Sequence, residues 1–208
     1  MKKNKNEAVI LVHGLWMKGF ELVYLQVRLW LQGYRVYIFR YQSVFKTPEQ
    51  NSEKLFTFIS RINEPVIHFV AHSLGGIVVM HLFNNHQAVK TGKVVMIGSP
   101  VKGSAAAYEL NQNRYLKYIL GKSIIKGLLG DAPEWKYKLK TCVIAGIDGF
   151  GLGTILTRNA LREKNDGTVN LEETRLEHAD ESHVVSRSHF TLLFSNKVAT
   201  KMLAFLQN

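Results

Sequence analysis

Six short apolar runs alternate with longer helical patterns along the 208-residue chain. Several runs are apolar nearly throughout, which is typical of parallel strands that are buried on both faces. The helical patterns between them cover 20–32, 48–61, 75–87, 105–128 and 190–206. This alternation predicts an α/β fold, a doubly wound, mostly parallel sheet of about six strands with helices on both faces. The runs are AVILV (8–12), RVYIFRY (35–41), VIHFVAH (66–72), KVVMIGS (93–99), TCVIAG (141–146) and the weaker TRLEHA (174–179).

Length and composition favour one domain spanning residues 1–208. Hydrophobic residues make up 46% and charged residues 21% of the chain, as in an ordinary globular protein. The single cysteine, Cys142, lies in an apolar run, so we expect a buried and unreactive thiol. The apolar run after the basic N-terminus is too short for a secretory signal, and no apolar stretch approaches the ~18 residues of a membrane span. We therefore expect a cytoplasmic protein.

The chain carries a net charge of +11. Nucleic-acid-binding proteins usually cluster Lys and Arg in a recognisable motif, and the sequence contains none, so nucleic acid is not expected as a partner. The densest basic stretch covers 114–140, where Asp131 and Glu134 are the acids. It predicts a solvated basic face or a weak peripheral contact with an anionic membrane or acidic substrate. Its cations are Arg114, Lys117, Lys122, Lys126, Lys136, Lys138 and Lys140.

A serine interrupts the apolar sequence VIHFVAHSLGGIVVM (66–80) where the strand pattern changes to a helix pattern. This is the arrangement of a nucleophile elbow, in which a serine occupies a sharp turn between a strand and a helix. Positions two before and two after the serine must be small there, and they are Ala71 and Gly75. Ser73 is therefore a candidate nucleophile. The alternative is that Ser73 only caps the helix.

The tripeptide His13-Gly14-Leu15 follows the first strand. Gly14 allows the chain to turn, and the backbone N–H of Leu15 is placed to face a substrate oxygen. The N–H of Leu74, directly after the serine, would be the second donor of an oxyanion hole. The pair Leu15 and Leu74 is thus the predicted oxyanion site.

The sequence resembles the α/β-hydrolase family, and within it the small bacterial lipases and esterases. The motifs that carry the resemblance occur in family order: HGL (13–15), AHSLGG (71–76), GSPVKGS (98–104), NDGTV (165–169) and SHFTLLFSNKV (188–198). The resemblance implies Ser73 as nucleophile, Asp166 as acid and His189 as base. It also implies a reaction that needs neither a metal nor an organic cofactor.

Two other aspartates compete with Asp166 for the role of the acid. Asp148 follows the strand run TCVIAG almost at once, where many α/β-hydrolases hold their acid, and Asp131 is a more remote alternative. Asp166 instead heads a D-G-x-V segment that fits the lipase-like pattern. Gly167 would let the backbone turn so that the carboxylate faces the histidine loop. We favour Asp166 on this ground.

Other histidines also compete with His189. His183 is the rival base, whereas His13 is expected to shape the oxyanion loop. His72 adjoins the nucleophile in sequence, and its side chain is expected to point elsewhere. The segment HADESH (178–183) places two histidines around two acids, but the spacing matches no specific metal site, so no metal is expected.

The segment at about 104–135 is the family's most variable connection. Its apolar pairs at helical spacing predict a helix that covers the sheet, or alternatively a small cap over an acyl pocket. The glycine-rich segment GIDGFGLGTIL (146–156) lacks the Lys-Ser/Thr ending of a phosphate loop and indicates a flexible active-site loop.

Together these residues predict a serine hydrolase that cleaves carboxylic esters through an acyl-enzyme. The substrate would be a small-molecule or lipid ester. An acyltransferase or amidase on the same triad is the first alternative. A non-catalytic binding module with the same fold is the second.

Overall fold

The computed structural model describes residues 6–86, 90–157, 160–161 and 164–208. Its centre is a six-stranded sheet in the order β2-β1-β3-β4-β5-β6, and every neighbouring pair is parallel. This architecture confirms the predicted doubly wound α/β class. The strands are β1 (Glu7–Val12), β2 (Arg35–Phe39), β3 (Val66–His72), β4 (Thr91–Ile97), β5 (Thr141–Gly146) and β6 (Glu181–Val185).

Helices cover both faces of the sheet. One buried cluster joins α1 and α7 to the sheet, and a second joins α2 and α3 to the opposite face. No helix in the described ranges has the length and apolar character needed to cross a membrane. The α-helices are α1 (Val23–Trp30), α2 (Pro48–Ile59), α3 (Leu74–Asn85), α4 (Ala105–Gln112), α5 (Lys117–Leu120), α6 (Leu152–Leu156) and α7 (Asn196–Gln207). Short 3-10 helices occur at Phe20–Leu22, Gly121–Ile124, Leu171–Thr174 and Thr191–Phe194.

The prediction of a strand at 174–179 is wrong. The chain there follows the 3-10 helix Leu171–Thr174, which a reciprocal capping box between Asn170 and Glu173 stabilises. The sixth strand is β6, an edge strand in which partly buried and exposed residues alternate before the buried Val185. It therefore lacks the continuous apolar run by which the other strands were predicted.

The prediction of one helix over 105–128 is also wrong in its extent. The side-chain oxygen of Asn113 accepts hydrogen bonds from the backbone N–H groups of Tyr115 (3.0 Å) and Leu116 (3.1 Å), which ends α4 with a turn. Gly121 adopts φ of 56° directly after α5. A side chain at this position would collide with the carbonyl of Val44, so the close approach of the two backbones requires glycine.

The order of the strands places a crevice at one end of the sheet. β1 lies between β2 and β3, so the chain leaves β1 towards one edge and returns on its other side. Loops after β1 and β3 consequently diverge at the carboxyl ends of the strands, where sheets of this type bind ligands. The loop after β1 contains His13-Gly14-Leu15, and the turn after β3 contains Ser73.

Candidate active site

Ser73 occupies a strained corner between β3 and α3. Its backbone has φ of 53° and ψ of −124°, a conformation that residues other than glycine rarely adopt. The backbone N–H of Ser73 donates to the carbonyl of Ile97 on β4 (3.0 Å), which holds the corner against the sheet. The side chain makes no capping hydrogen bond to α3. The alternative role of a helix cap is therefore wrong for the Ser73 hydroxyl.

Small residues around the corner allow strand and helix to approach each other. A Cβ atom at Gly75 would lie 2.5 Å from the carbonyl oxygen of Val12 and 2.7 Å from that of His13. A Cβ atom at Gly76 would collide with the side chain of Ser99. Ala71 is completely buried. The two glycines of A-x-S-x-G-G thus have a steric cause, because α3 closely approaches the end of β1 and the side chain of Ser99.

The structure brings Asp166 and His189 together. Nδ1 of His189 lies 2.7 Å from Oδ2 of Asp166, and the backbone N–H of His189 donates to the Asp166 carbonyl, also at 2.7 Å. The other carboxylate oxygen accepts the N–H groups of Thr168 (3.0 Å) and Val169 (2.7 Å). Asp166 is only 1% exposed. The Nδ1–H of His189 therefore donates to Oδ2 of Asp166, which leaves Nε2 as the ring nitrogen that can accept a proton.

The turn at Asp166-Gly167 fixes this carboxylate. Gly167 has φ of 86°, and a side chain there would collide with the backbone of Phe150 and Gly151. The side-chain oxygen of Asn165 accepts the Gly167 N–H (2.8 Å) and closes the turn. The glycine in NDGTV is thus required both by its backbone conformation and by the packing of the loop 147–151.

The two competing aspartates lie in other surroundings. Asp148 is exposed, and it is not among the residues that line the cavity described below. Asp131 accepts the backbone N–H groups of Lys126 (2.8 Å) and Gly127 (2.7 Å), which is a turn-stabilising role. Asp166 is the aspartate that contacts His189.

His183 lies on the edge strand β6 and is engaged in an ionic cluster. Its Nε2 lies 2.9 Å from a carboxylate oxygen of Glu181, and Nζ of Lys201 lies 3.2 Å from its Nδ1. The Sγ of Cys142 belongs to the same cluster, within 4.8 Å of ligand atoms on Glu181 and His183. Burial raises the pKa of the Cys142 thiol to about 12, and the Glu181 carboxylate adds to the shift. Cys142, Glu181, His183 and Lys201 therefore form a cluster of polar side chains that do not line the cavity described below.

His72 contradicts the expectation that its side chain points elsewhere. It lines the same cavity as Ser73, and its ring centroid lies 4.7 Å from that of His189. Its Nε2–H donates to the carbonyl of His189 (3.1 Å). Burial lowers the pKa of His72 well below its ordinary value, with a further contribution from His189, so the ring is neutral. A neutral His72 therefore holds the backbone of the loop that carries His189.

Strand geometry explains the position of His72 and could have revealed it. Alternate residues of β3 point to the same face, so His72 shares the face of Val70. Val70 packs in the cluster that contains α1 and α7, and His189 lies in the loop that leads into α7. His72 is the last residue of β3 on that face, so its side chain contacts the loop that carries His189.

The loop after β1 is fixed by a histidine–tyrosine pair. Nδ1–H of His13 donates to the Gly14 carbonyl (2.9 Å), and Nε2 accepts the backbone N–H of Tyr41 (3.3 Å). Both bonds fit the neutral Nδ1–H tautomer, and burial lowers the pKa of His13 accordingly. The Tyr41 hydroxyl donates to the His13 carbonyl (2.7 Å), and the two rings stack at 4.2 Å. His13 thus shapes this loop, as its sequence context predicted.

The two predicted oxyanion donors adjoin this loop and the serine. Leu15 lines the cavity. Leu74 is the first residue of α3, where backbone N–H groups have no partner within the helix. The positive end of the helix dipole adds a favourable potential for a developing negative charge at this point.

Side chains of this site line an apolar cavity of about 170 Å³. Ser73, His72 and His189 are among the polar residues that line it. The segment 104–135 forms one wall through Leu110, Leu120 and Leu128, and the glycine-rich loop forms another through Phe150 and Leu152. The variable connection therefore walls the cavity rather than only covering the sheet.

Comparison with known proteins places the chain in a family. Residues 1–144 match the family described as "Domain of unknown function (DUF7379)". The chain belongs to this family. No curated protein sequence matches this chain.

Solved structures show which fold this family member has. The lipase BlEst2 of Bacillus licheniformis in its mature form superposes with a TM-score of 0.73 at 19% identity, over 96% of this chain and 91% of that chain. A bromoperoxidase from Bacillus anthracis gives 0.67 at 14% identity, over 99% and 93%. Est816, described as an N-acyl homoserine lactone degrading enzyme, gives 0.67 at 13% identity, over 97% and 93%. The chain has the α/β-hydrolase fold, which is the fold of the family that its motifs resemble.

The proposed role of Asp166 as the acid can be tested by replacing its carboxylate with an amide. Asp166→Asn should preserve the fold, because the amide oxygen can still accept the N–H groups of Thr168 and Val169. It should lower kcat by up to ~10⁴-fold, because an amide favours the wrong tautomer of His189. Steady-state kinetics on a soluble p-nitrophenyl ester measure this loss.

Asp148→Asn is the matched control and should change kcat by less than about tenfold. A severe loss for Asp148→Asn with a mild one for Asp166→Asn would transfer the role to Asp148.

Proposed function

We propose that the protein is a serine hydrolase that cleaves carboxylic esters through a triad of Ser73, His189 and Asp166. The observation that carries the proposal is the convergence of two independent features on one cavity. One is the strained corner that presents Ser73, and the other is the buried, hydrogen-bonded pair of Asp166 and His189. Neither feature is needed to stabilise a sheet.

Acylation would begin with proton transfer from the hydroxyl of Ser73 to Nε2 of His189. The serine oxygen then attacks the ester carbonyl, and Asp166 stabilises the imidazolium that forms. Charge on the carbonyl oxygen would be met by the backbone N–H groups of Leu15 and Leu74. The imidazolium then gives its proton to the ester oxygen as the bond from that oxygen to the carbonyl carbon breaks, so that the alcohol leaves and the acyl-enzyme forms.

Deacylation would repeat the same steps with water. His189 removes a proton from the water that attacks the acyl carbonyl, and the proton then returns to Ser73. The backbone N–H of His189 donates to Asp166, and the carbonyl of His189 accepts from His72. Both half-reactions therefore use one fixed position of the base. All of these steps are carried out by side chains and backbone groups of this chain.

The lining of the cavity favours an ester with an apolar acyl group. Leucines from α4, α5 and the segment that follows α5 form most of one wall, and the lining as a whole is mainly apolar with a few polar side chains, Ser73 and His189 among them. A small-molecule ester or a lipid ester fits this distribution. Similar structures, among them those of a lipase and of an N-acyl homoserine lactone degrading enzyme, agree with acyl-transfer chemistry on this fold.

A fluorophosphonate probe tests the proposal directly. The probe should label the purified protein stoichiometrically, and the label should be found on Ser73 by mass spectrometry. Labelling should disappear in Ser73→Ala. Absence of labelling in the intact protein would favour the alternative of a binding module with this fold.

Substrates then separate hydrolysis from the related reactions. A series of p-nitrophenyl esters from acetate to palmitate should be hydrolysed, with a maximum that reports the acyl length. An added alcohol or amine would compete with water in an acyltransferase, and an anilide would be cleaved by an amidase. Labelling of Ser73 without release of nitrophenol from any ester would contradict ester hydrolysis while leaving the nucleophile in place.

A further inference from the structure

Large apolar side chains are exposed around the mouth of the cavity. Ten aromatic residues of the described chain are prominently exposed, and Trp16, Phe150 and Phe190 among them line the cavity. Trp30, at the end of α1, is exposed but does not line it. We call six side chains of this region the rim, and each of them is between 45% and 76% exposed. The rim consists of Trp16, Tyr115, Tyr118, Phe150, Ile155 and Phe190.

The segment 149–156, which includes α6, forms the most apolar part of the rim. Its sequence GFGLGTIL contains no charged residue. Phe150 is 76% exposed and Ile155 is 70% exposed, although burial of such side chains in the core would be favourable. Several large apolar side chains that are exposed in one short segment mark an interaction site on a folded protein.

The neighbouring segment 114–122 adds positive charge to the same surface. Its sequence RYLKYILGK contains three cations and no acid. Nε1 of Trp16 donates to the carbonyl of Ile119 (2.8 Å), which fixes this segment beside the mouth. The Lys117 ammonium lies 5.2 Å from the ring centre of Tyr118, and the Arg114 guanidinium lies 5.6 Å from that of Tyr115. No ion pair joins these two cations to a carboxylate within the described residues.

We propose that the rim docks the protein on an anionic lipid bilayer, with the cavity mouth against the membrane. Tyr and Trp are the side chains that favour a membrane–water interface, and Lys and Arg beside them attract anionic headgroups. The net charge of +11 is complementary to such a surface, whereas a second copy of the chain would bring like charge to the same face. Docking would give the proposed hydrolase access to esters that are held in a membrane, but it does not depend on hydrolysis.

Vesicle binding by the Ser73→Ala protein tests docking without turnover. We expect it to sediment with vesicles of equal parts phosphatidylcholine and phosphatidylglycerol. Its partition onto vesicles of phosphatidylcholine alone should be at least about tenfold weaker, because each cation near an anionic surface strengthens binding by roughly fivefold. High salt should abolish this preference, since charges are screened over ~10 Å at ~0.1 M salt. Equal binding to both vesicle types, or to neither, would overturn the proposal.

Two variants and two matched controls, made in the same Ser73→Ala background, locate the docking face. Lys117→Glu with Lys122→Glu should weaken binding to anionic vesicles by about tenfold or more. Lys138→Glu with Lys140→Glu lowers the net charge equally, but these lysines precede β5 at the opposite end of the sheet, and the loss should be far smaller. Ile155→Ser with Tyr118→Ser should also weaken binding by about tenfold. Trp30→Ser should change it by less than about twofold.

The outcomes separate docking from its alternatives. Equal losses from the two lysine pairs would mean general attraction of a basic protein and would reject the rim. A dimer in sedimentation analysis that Ile155→Ser dissociates would instead assign the rim to a second copy of the chain. Because binding is measured with Ser73→Ala, a protein that docks but hydrolyses no ester would reject the proposed function and leave this inference standing.

Discussion

Ser73→Ala should abolish ester hydrolysis and leave the fold intact. Loss of a triad nucleophile typically costs on the order of 10⁶ in kcat, with a small residual rate from the oxyanion hole. The fold should survive because the Ser73 side chain makes no capping bond and alanine retains the Cβ atom at the strained φ of 53°. The measurement is kcat on a p-nitrophenyl ester, with circular dichroism and Tm as tests of folding.

Ser104→Ala is a matched control for this prediction. Ser104 lines the same cavity and has the same 8% exposure as Ser73, but its side chain caps α4 by accepting the N–H of Ala107 (3.2 Å). Its loss should lower stability by about 1 kcal/mol and kcat by less than about tenfold. A soluble Ser73→Ala protein that retains more than a tenth of the original kcat would reject Ser73 as the nucleophile.

The sequence predicted the core of the sheet because burial leaves a local signature. β1, β3 and β5 are buried along almost their whole length, and their apolar runs could be read without knowledge of neighbours. The edge strand β6 has no such signature, since about half of its side chains face solvent. Its pairing with β5 is a tertiary contact, and a local pattern at 174–179 was mistaken for it.

The site was predictable to the extent that its geometry is local. The corner at Ser73 follows from small residues at fixed spacing, and the two glycines among them have a steric reason. The contact of Asp166 with His189 joins residues 23 positions apart, and only the resemblance to known hydrolases indicated it. The position of the His72 side chain follows from the face of β3 on which it lies, and adjacency to the nucleophile in sequence does not indicate that face.

The exposure of the two rim tyrosines, Tyr115 and Tyr118, could not be predicted, because it depends on how the variable connection is broken. A single helix over 105–128 would have buried one apolar stripe against the sheet. The turns at Asn113 and Gly121 divide it instead, so that Tyr115 and Tyr118 face outwards while Leu110 and Leu120 line the cavity.

His189→Ala should be nearly as damaging as Ser73→Ala, with a loss on the order of 10⁶ in kcat. The double variant should be little worse than either single one, because nucleophile and base act as a unit. The fold should be weakened modestly: Asp166 loses one of its partners but still accepts the N–H groups of Thr168 and Val169. The backbone contacts of His189 with Asp166 and His72 do not involve the deleted ring of His189.

His183→Ala is the control that tests the choice of base. His183 contacts Glu181 on the same edge strand and Lys201 on α7, and it does not line the cavity, so its loss should lower kcat by less than about tenfold. Kinetics of the three variants on one soluble ester give the ranking, and Tm separates unfolding from loss of chemistry. The reverse ranking of the two histidines would move the general base to β6, and multiplied losses in the double variant would show that Ser73 and His189 act in separate steps.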